Sequence, residues 1–135
     1  MYSISPTSFG LRVTFSGHLT RDEARRWVAE SEQVLSRMQR GFRVLVDMRE
    51  LRPTTDEAYA EFAAGQGVYE LAGMDRSAVV LSSPELVERF GRLARESGDD
   101  EWERFIDAST RPDWEKVALD WLEGNVSPDS QDVPA

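Results

Sequence analysis

The 135-residue sequence contains no cysteine, a single histidine (His18) and a single lysine (Lys116). Without cysteine there is no disulfide framework, no thiol nucleophile and no redox pair. A lone histidine cannot build a histidine-based metal centre. A Ser-His-Asp arrangement would need a nucleophile elbow, and no Gly-x-Ser-x-Gly occurs. No Gly-Lys-Ser/Thr closes a phosphate loop. Gly65-Gln66-Gly67 begins like a dinucleotide fingerprint, but Glu70 stands where the third glycine belongs. That segment also follows a helical pattern, away from any strand-to-helix turn, so the phosphate-cradling mechanism fails. Apolar runs reach only a few residues, far short of the roughly 20 that span a bilayer. The stretch Met1–Pro6 lacks the basic and apolar regions of a signal peptide. These absences lead to the expectation of a cytoplasmic, non-catalytic protein with no membrane insertion, no cofactor and no metal.

Charge narrows the partners further. The formal net charge is −9, from 25 acidic and 16 basic residues. Binding to phosphate backbones or anionic membranes needs a basic surface, so nucleic acid and anionic membranes are poor matches. Apart from Lys116, every basic residue is an arginine. Base composition of the gene explains that bias most simply, although arginine also grips carboxylates and phosphates in two-point contacts.

What is present is an alternation of strand and helix signals. Phe9, Leu11, Val13 and Phe15 recur with period two, which predicts a half-buried strand, and a weaker strand precedes it near 2–5. Thr20 with Glu23 forms a capping box. The helix after it carries Ala24, Trp27, Val28, Ser31, Val34, Leu35 and Met38 on one stripe, with Gly41 as its stop. Residues 42–48 are nearly all apolar, as in a strand covered on both faces. Pro53 breaks the chain, Thr54 with Glu57 repeats the capping-box spacing, and a helix runs to Gly73. Gly65 and Gly67 inside it cost about 1 kcal/mol each relative to alanine, and permit close packing or mark a kink. A further strand is predicted at 77–82, then a helix opened by Ser83-Pro84 and stopped by Gly98, a short strand at 102–107, and a final helix from Pro112 to Gly124. The expectation is one α/β domain over residues 1–123 and a disordered tail over 124–135.

Three features invite a functional reading. The acidic run Glu96, Asp99, Asp100, Glu101 and Glu103 lacks the ordered spacing of a calcium loop and reads as a solvated loop. Asp47, at the end of a buried strand, is either a turn residue or part of a site. The segment from Asp47 through Arg49, Arg52, Thr54 and Thr55 joins a strand's carboxyl end to a helix N-terminus, where ligands and anions bind in open α/β sheets. A phosphate on Thr54 or Thr55 would sit there with Arg49 and Arg52 within reach. The alternative is that Thr54 is an N-cap and nothing more, worth about 1 kcal/mol.

The order of Phe15-Ser16-Gly17, His18-Leu19-Thr20, Val44-Leu45-Val46-Asp47-Met48-Arg49, Arg76-Ser77-Ala78-Val79-Val80, Arg104-Phe105 and Ala118-Leu119-Asp120-Trp121-Leu122 resembles the SpoIIAA-like (STAS/SEC14-type) family of small bacterial domains. The resemblance spans roughly residues 9–123. It implies a mixed, mostly parallel sheet of four to five strands with about four helices packed mainly on one face. It also implies kinship with anti-sigma factor antagonists, in which a strand ending in Asp precedes a helix whose start bears a phosphorylated serine. Asp47 matches that Asp, while Pro53-Thr54-Thr55-Asp56 replaces the usual Asp-Ser-Ser/Ala-Gly. Two functions follow as expectations. One is a regulatory domain that binds a protein partner, a second copy of itself included. The other is a binder of a lipid or small hydrophobic ligand, with Tyr59, Phe62 and Tyr69 along one helix face, where they serve equally as core.

Overall fold

A computed structural model gives the architecture, and residues 1–131 are described. Five strands form one sheet in sequence order: β1 (Tyr2–Pro6), β2 (Gly10–Gly17), β3 (Arg43–Leu51), β4 (Arg76–Leu81) and β5 (Glu103–Asp107). β1 pairs antiparallel with β2, and every later pair is parallel. The helices are α1 (Arg21–Leu35), α2 (Asp56–Leu71), α3 (Pro84–Ser97) and α4 (Trp114–Gly124).

The topology dictates where the helices lie. Each parallel strand is added at the same growing edge, and right-handed crossovers then place all connecting helices on one face. α1, α2 and α3 are those crossovers. Their apolar faces meet Leu11, Val13, Phe15, Val44, Val46, Met48, Val79 and Leu81 in the main core. α4 follows the last strand, so no crossover constrains it. It closes the opposite face with Val117, Ala118, Trp121 and Leu122 against Leu45, Ala78, Val80 and Ile106. This double cover explains why residues 44–48 read as a continuous apolar run.

Within the main core the indole of Trp27 is stacked between Phe62 (centroids 5.5 Å apart) and Tyr69 (5.6 Å), and Phe15 meets it edge-on at 5.0 Å. Phe62 and Tyr69 lie seven residues apart on α2, two turns along one face. Gly65 lies between them and leaves room for the ring. Tyr69 donates or accepts a 2.8 Å hydrogen bond with buried Ser31 of α1.

Several sequence expectations shift. α1 ends at Leu35, six residues before Gly41, and the Ser36 hydroxyl donates to Gln33 O at the break. β3 runs on to Leu51 where a strand end near residue 48 was expected. A bulge at Met48 and Arg49 lets the ladder resume, because Thr14 faces Asp47 and Ser16 faces Glu50. The N-cap of α2 is Thr55, not Thr54: Thr55 Oγ1 accepts from Ala58 N at 3.2 Å. The tail expected to be disordered from residue 124 is folded back through Gln131. Pro128 is buried, Gln131 O accepts from Arg111, and Arg104 Nε donates to Ser127 Oγ at 3.3 Å. Residues 132–135 lie outside the described part.

Candidate functional site

Two loops at one end of the sheet build the first candidate site. The turn after β2 (residues 18–20) and the turn after β3 (residues 52–55) are tied together by three bonds. Arg52 N donates to Gly17 O at 2.9 Å, His18 Nδ1 lies 3.2 Å from Pro53 O, and the Thr54 hydroxyl donates to Leu19 O. Thr20 and Thr55 cap adjacent helices, so both helix N-termini open onto one shallow groove of about 670 Å³. His18, Arg21, Pro53 and Thr54 also line it, with Asp22 and Glu57. Free N–H groups and the helix dipoles favour an anion at such an end, while Asp22 and Glu57 oppose one.

The residues expected here divide. Thr54 and Thr55 do line the groove. Thr54 is half-buried with its hydroxyl committed to Leu19, whereas Thr55 is exposed. Arg52 is exposed beside the groove and does not line it. Arg49 is turned away from both threonines, contrary to the expectation that it reaches them. It lies on the α4 face of the sheet, with its guanidinium 4.1 Å from the centre of the Trp114 ring. Arg21, which is not among the residues the sequence pattern singles out, is the groove's cation. Its position as the first residue after the Thr20 cap was the available signal.

Asp47 does not end β3. It sits inside the strand, buried on the α4 face, where Arg12 Nη2 donates at 2.8 Å and Arg49 donates through Nη2 (2.9 Å) and Nε (3.0 Å). Its Oδ1 also accepts from Arg49 N at 3.1 Å, which satisfies the amide that the bulge withdraws from the ladder. Burial alone would raise the carboxyl, but the hydrogen bonds from Arg49 and Arg12 outweigh it and hold Asp47 below the ordinary carboxylate range. Asp47 is therefore built into the sheet as the anchor of the bulge.

The second candidate is a cleft between α2 and α3 of about 350 Å³. Tyr59 and Phe62 from α2 form one wall, and Phe90 and Leu93 from α3 the other. Phe90 meets Tyr59 and Phe62 edge-on at 5.6 and 5.7 Å. Tyr69, expected beside them as a ligand-facing aromatic, does not line the cleft. It is sealed in the core under Trp27. The floor carries Glu103 and Gln66, both buried. The acidic run predicts Glu103 in a solvated loop. It is instead the first residue of β5 and 6% exposed, because period two along β5 points it to the same side as Phe105, toward the main core. Burial, reinforced by the charges of Asp99 and Glu70 and opposed by hydrogen bonds from Ser77 and Gln66, pushes its carboxyl up to about 7.

Among the described residues no group of three or more His, Cys, Asp or Glu side chains is placed to hold a metal ion. No described helix is long and apolar enough to cross a membrane.

The sheet order, the crossover helices on one face and the single helix behind define the SpoIIAA-like, STAS-type class of α/β fold, and the chain has that fold. One solved structure that it matches is the anti-sigma factor antagonist SpoIIAA in its unphosphorylated form, with a TM-score of 0.63 and 12% identity over 94% of this chain and 100% of that one. Another is an uncharacterized protein of the DUF3478 family with a SpoIIAA-like fold from Shewanella loihica PV-4. There the TM-score is 0.61 and the identity 18%, over 90% of this chain and 92% of the other. No family model and no curated protein sequence matches the chain. At these identities the likeness is one of fold, and fold alone does not assign function.

Proposed function

We propose that the domain is a non-catalytic regulatory module. It binds a protein partner, a second copy of itself included, through the groove between the β2–α1 and β3–α2 turns. The observation that carries this reading is the exposed hydroxyl-bearing cap Thr55 at the point where two helix N-termini share one open surface. A phosphoryl group there adds close to two negative charges beside the amides of α2 and within the groove that Arg21 lines, so it alters both charge and shape of the docking face. Thr54 is the weaker acceptor, since its hydroxyl is engaged with Leu19 O. The fold shared with a protein described as an anti-sigma factor antagonist supports a regulatory role. The lack of cysteine also leaves no thiol nucleophile. The test is binding of the captured native partner to the wild type and to Thr55→Glu and Thr55→Ala. Affinity that changes with Glu and not with Ala supports the switch, and identical affinity for all three rejects it.

A second reading, a small hydrophobic ligand, is favoured by one specific feature, the cleft walled by Tyr59, Phe62, Phe90 and Leu93. Its volume lies at the lower end of the roughly 300–1,000 Å³ typical of small-molecule sites. Thermal stabilisation by a panel of small aromatic and aliphatic compounds checks it, and a panel without effect removes it.

A further inference from the structure

The cleft between α2 and α3 has a polarity that a plain hydrocarbon would not use. Its walls are apolar, and every charged residue lining it is acidic: Glu96, Asp99 and Glu103, with no basic side chain among the described residues. Glu103 is more than nine-tenths buried at the floor. Its Oε2 accepts from Gln66 Nε2 at 2.7 Å and from Ser77 Oγ at 2.8 Å. Its Oε1 accepts no hydrogen bond among the described residues. The one sealed and unpartnered side-chain atom among the described residues is Trp27 Nε1 in the main core, so Glu103 Oε1 is not sealed, and Glu103 lines both this cleft and the groove edged by Arg95 and Arg104. Both donors thus converge on one oxygen and fix the carboxyl, while the other oxygen is presented for a further donor. A buried carboxylate left without such a donor is costly. A metal ion does not fit, because these carboxylates are not grouped to ligate one.

We propose that this cleft binds a small apolar amine in its protonated form, with the ammonium on Glu103 Oε1 and the apolar body between Tyr59, Phe62, Phe90 and Leu93. This rests on the small-ligand reading above and adds the charge of the ligand to it. The aromatic walls bury the apolar body, while the Tyr59 face already carries the Arg89 guanidinium at 4.2 Å, so the charge contact falls to Glu103. Leu93 is 44% exposed at the cleft, an apolar side chain facing water that a seated ligand would cover.

The experiment titrates the full chain with three probes of nearly equal shape, phenethylammonium, phenethyl alcohol and phenylacetate, by calorimetry and by amide chemical-shift mapping at pH 8. The amine is expected to bind about tenfold or more tighter than the alcohol, the size of one charge-assisted hydrogen bond. The acid is expected not to bind, and the shifted amides are expected to cluster at Tyr59, Phe62, Gln66 and Leu93. Glu103→Gln is expected to bring amine and alcohol within about twofold of each other. Leu93→Arg, at an exposed position that tolerates change, is expected independently to abolish amine binding. Equal binding of amine and alcohol to the wild type overturns the proposal while leaving the hydrophobic-ligand reading standing. Binding of none of the three overturns both.

Discussion

The ring of Trp27 occupies the space that a side chain at position 65 would need: a Cβ on Gly65 would stand 2.2 Å from Trp27 Cζ3 and 2.6 Å from Cη2. Gly67, two residues on and on roughly the opposite side of the helix, has nothing within 4 Å of its Cβ position. The pair gives a matched test of packing. Gly65→Ala gains helix propensity but overpacks the aromatic stack, so a net loss of about 1–3 kcal/mol is expected. Gly67→Ala is expected to raise stability by up to about 1 kcal/mol. Urea denaturation of both variants checks the opposite signs.

Asp47 is expected to behave as a structural group. Asp47→Asn leaves Arg12 and Arg49 without their shared acceptor charge and weakens the anchor of the bulge, at a cost of about 2 kcal/mol, tempered by the partial exposure of both arginines. The folded carboxyl titrates below its unfolded value. Its contribution is therefore present above the unfolded value near 3.8 and is lost as pH falls through the lower folded one. Wild type and variant should converge in stability toward strongly acidic pH. A difference that stays constant from pH 7 to pH 2 would show that the charge is not what matters.

Glu103 has the opposite sign. Its folded carboxyl titrates near 7 against 4.5 when unfolded, so between those values the folded state holds a proton that the unfolded chain has released. Stability from this group therefore falls as pH rises from about 4.5 to 7, by on the order of 3 kcal/mol in total. Glu103→Gln is expected to be more stable than wild type at pH 8 and to lose that advantage at pH 4.5. Denaturation midpoints at both pH values decide it.

Thr54 and Thr55 should separate by role. Thr55→Ala removes the N-cap acceptor of α2 and is expected to cost about 1 kcal/mol. Thr54→Val removes one of the three bonds that tie the two turns together, and is expected to speed amide exchange in residues 52–55 while leaving the sheet unaffected. Hydrogen exchange resolved by residue separates the two effects.

The general architecture was legible because local signals agreed with the tertiary result. The capping box at Thr20 and Glu23 starts α1, with Thr20 Oγ1 accepting from Glu23 N at 3.1 Å. The apolar run in β3 is covered on both faces, and Ser83-Pro84 opens α3. The misreadings have specific causes. Thr54 and Thr55 both suit an N-cap by type, and Glu57 favoured Thr54 by spacing. A tertiary bond from Thr54 to Leu19 decided the matter, and nothing local encodes it. Arg49 was placed near the threonines by proximity in sequence, but the bulge and the Trp114 face turned it to the other side of the sheet. Glu103 was hidden by the acidic residues before it. Continuing the period-two reading from Phe105 back to 103 would have put it in the core.

The groove between the β2–α1 and β3–α2 turns is the proposed recognition surface for a protein partner. It is tested most directly by measuring the affinity of one purified native partner for four forms of the chain: wild type, Thr55→Glu, Arg21→Glu and Glu103→Gln. The two groove substitutions are expected to weaken binding about tenfold or more, as introducing a negative charge at Thr55 or reversing the one at Arg21 does, while Glu103→Gln, in the separate cleft, leaves it within about twofold. Equal affinity for the wild type and both groove variants would contradict it.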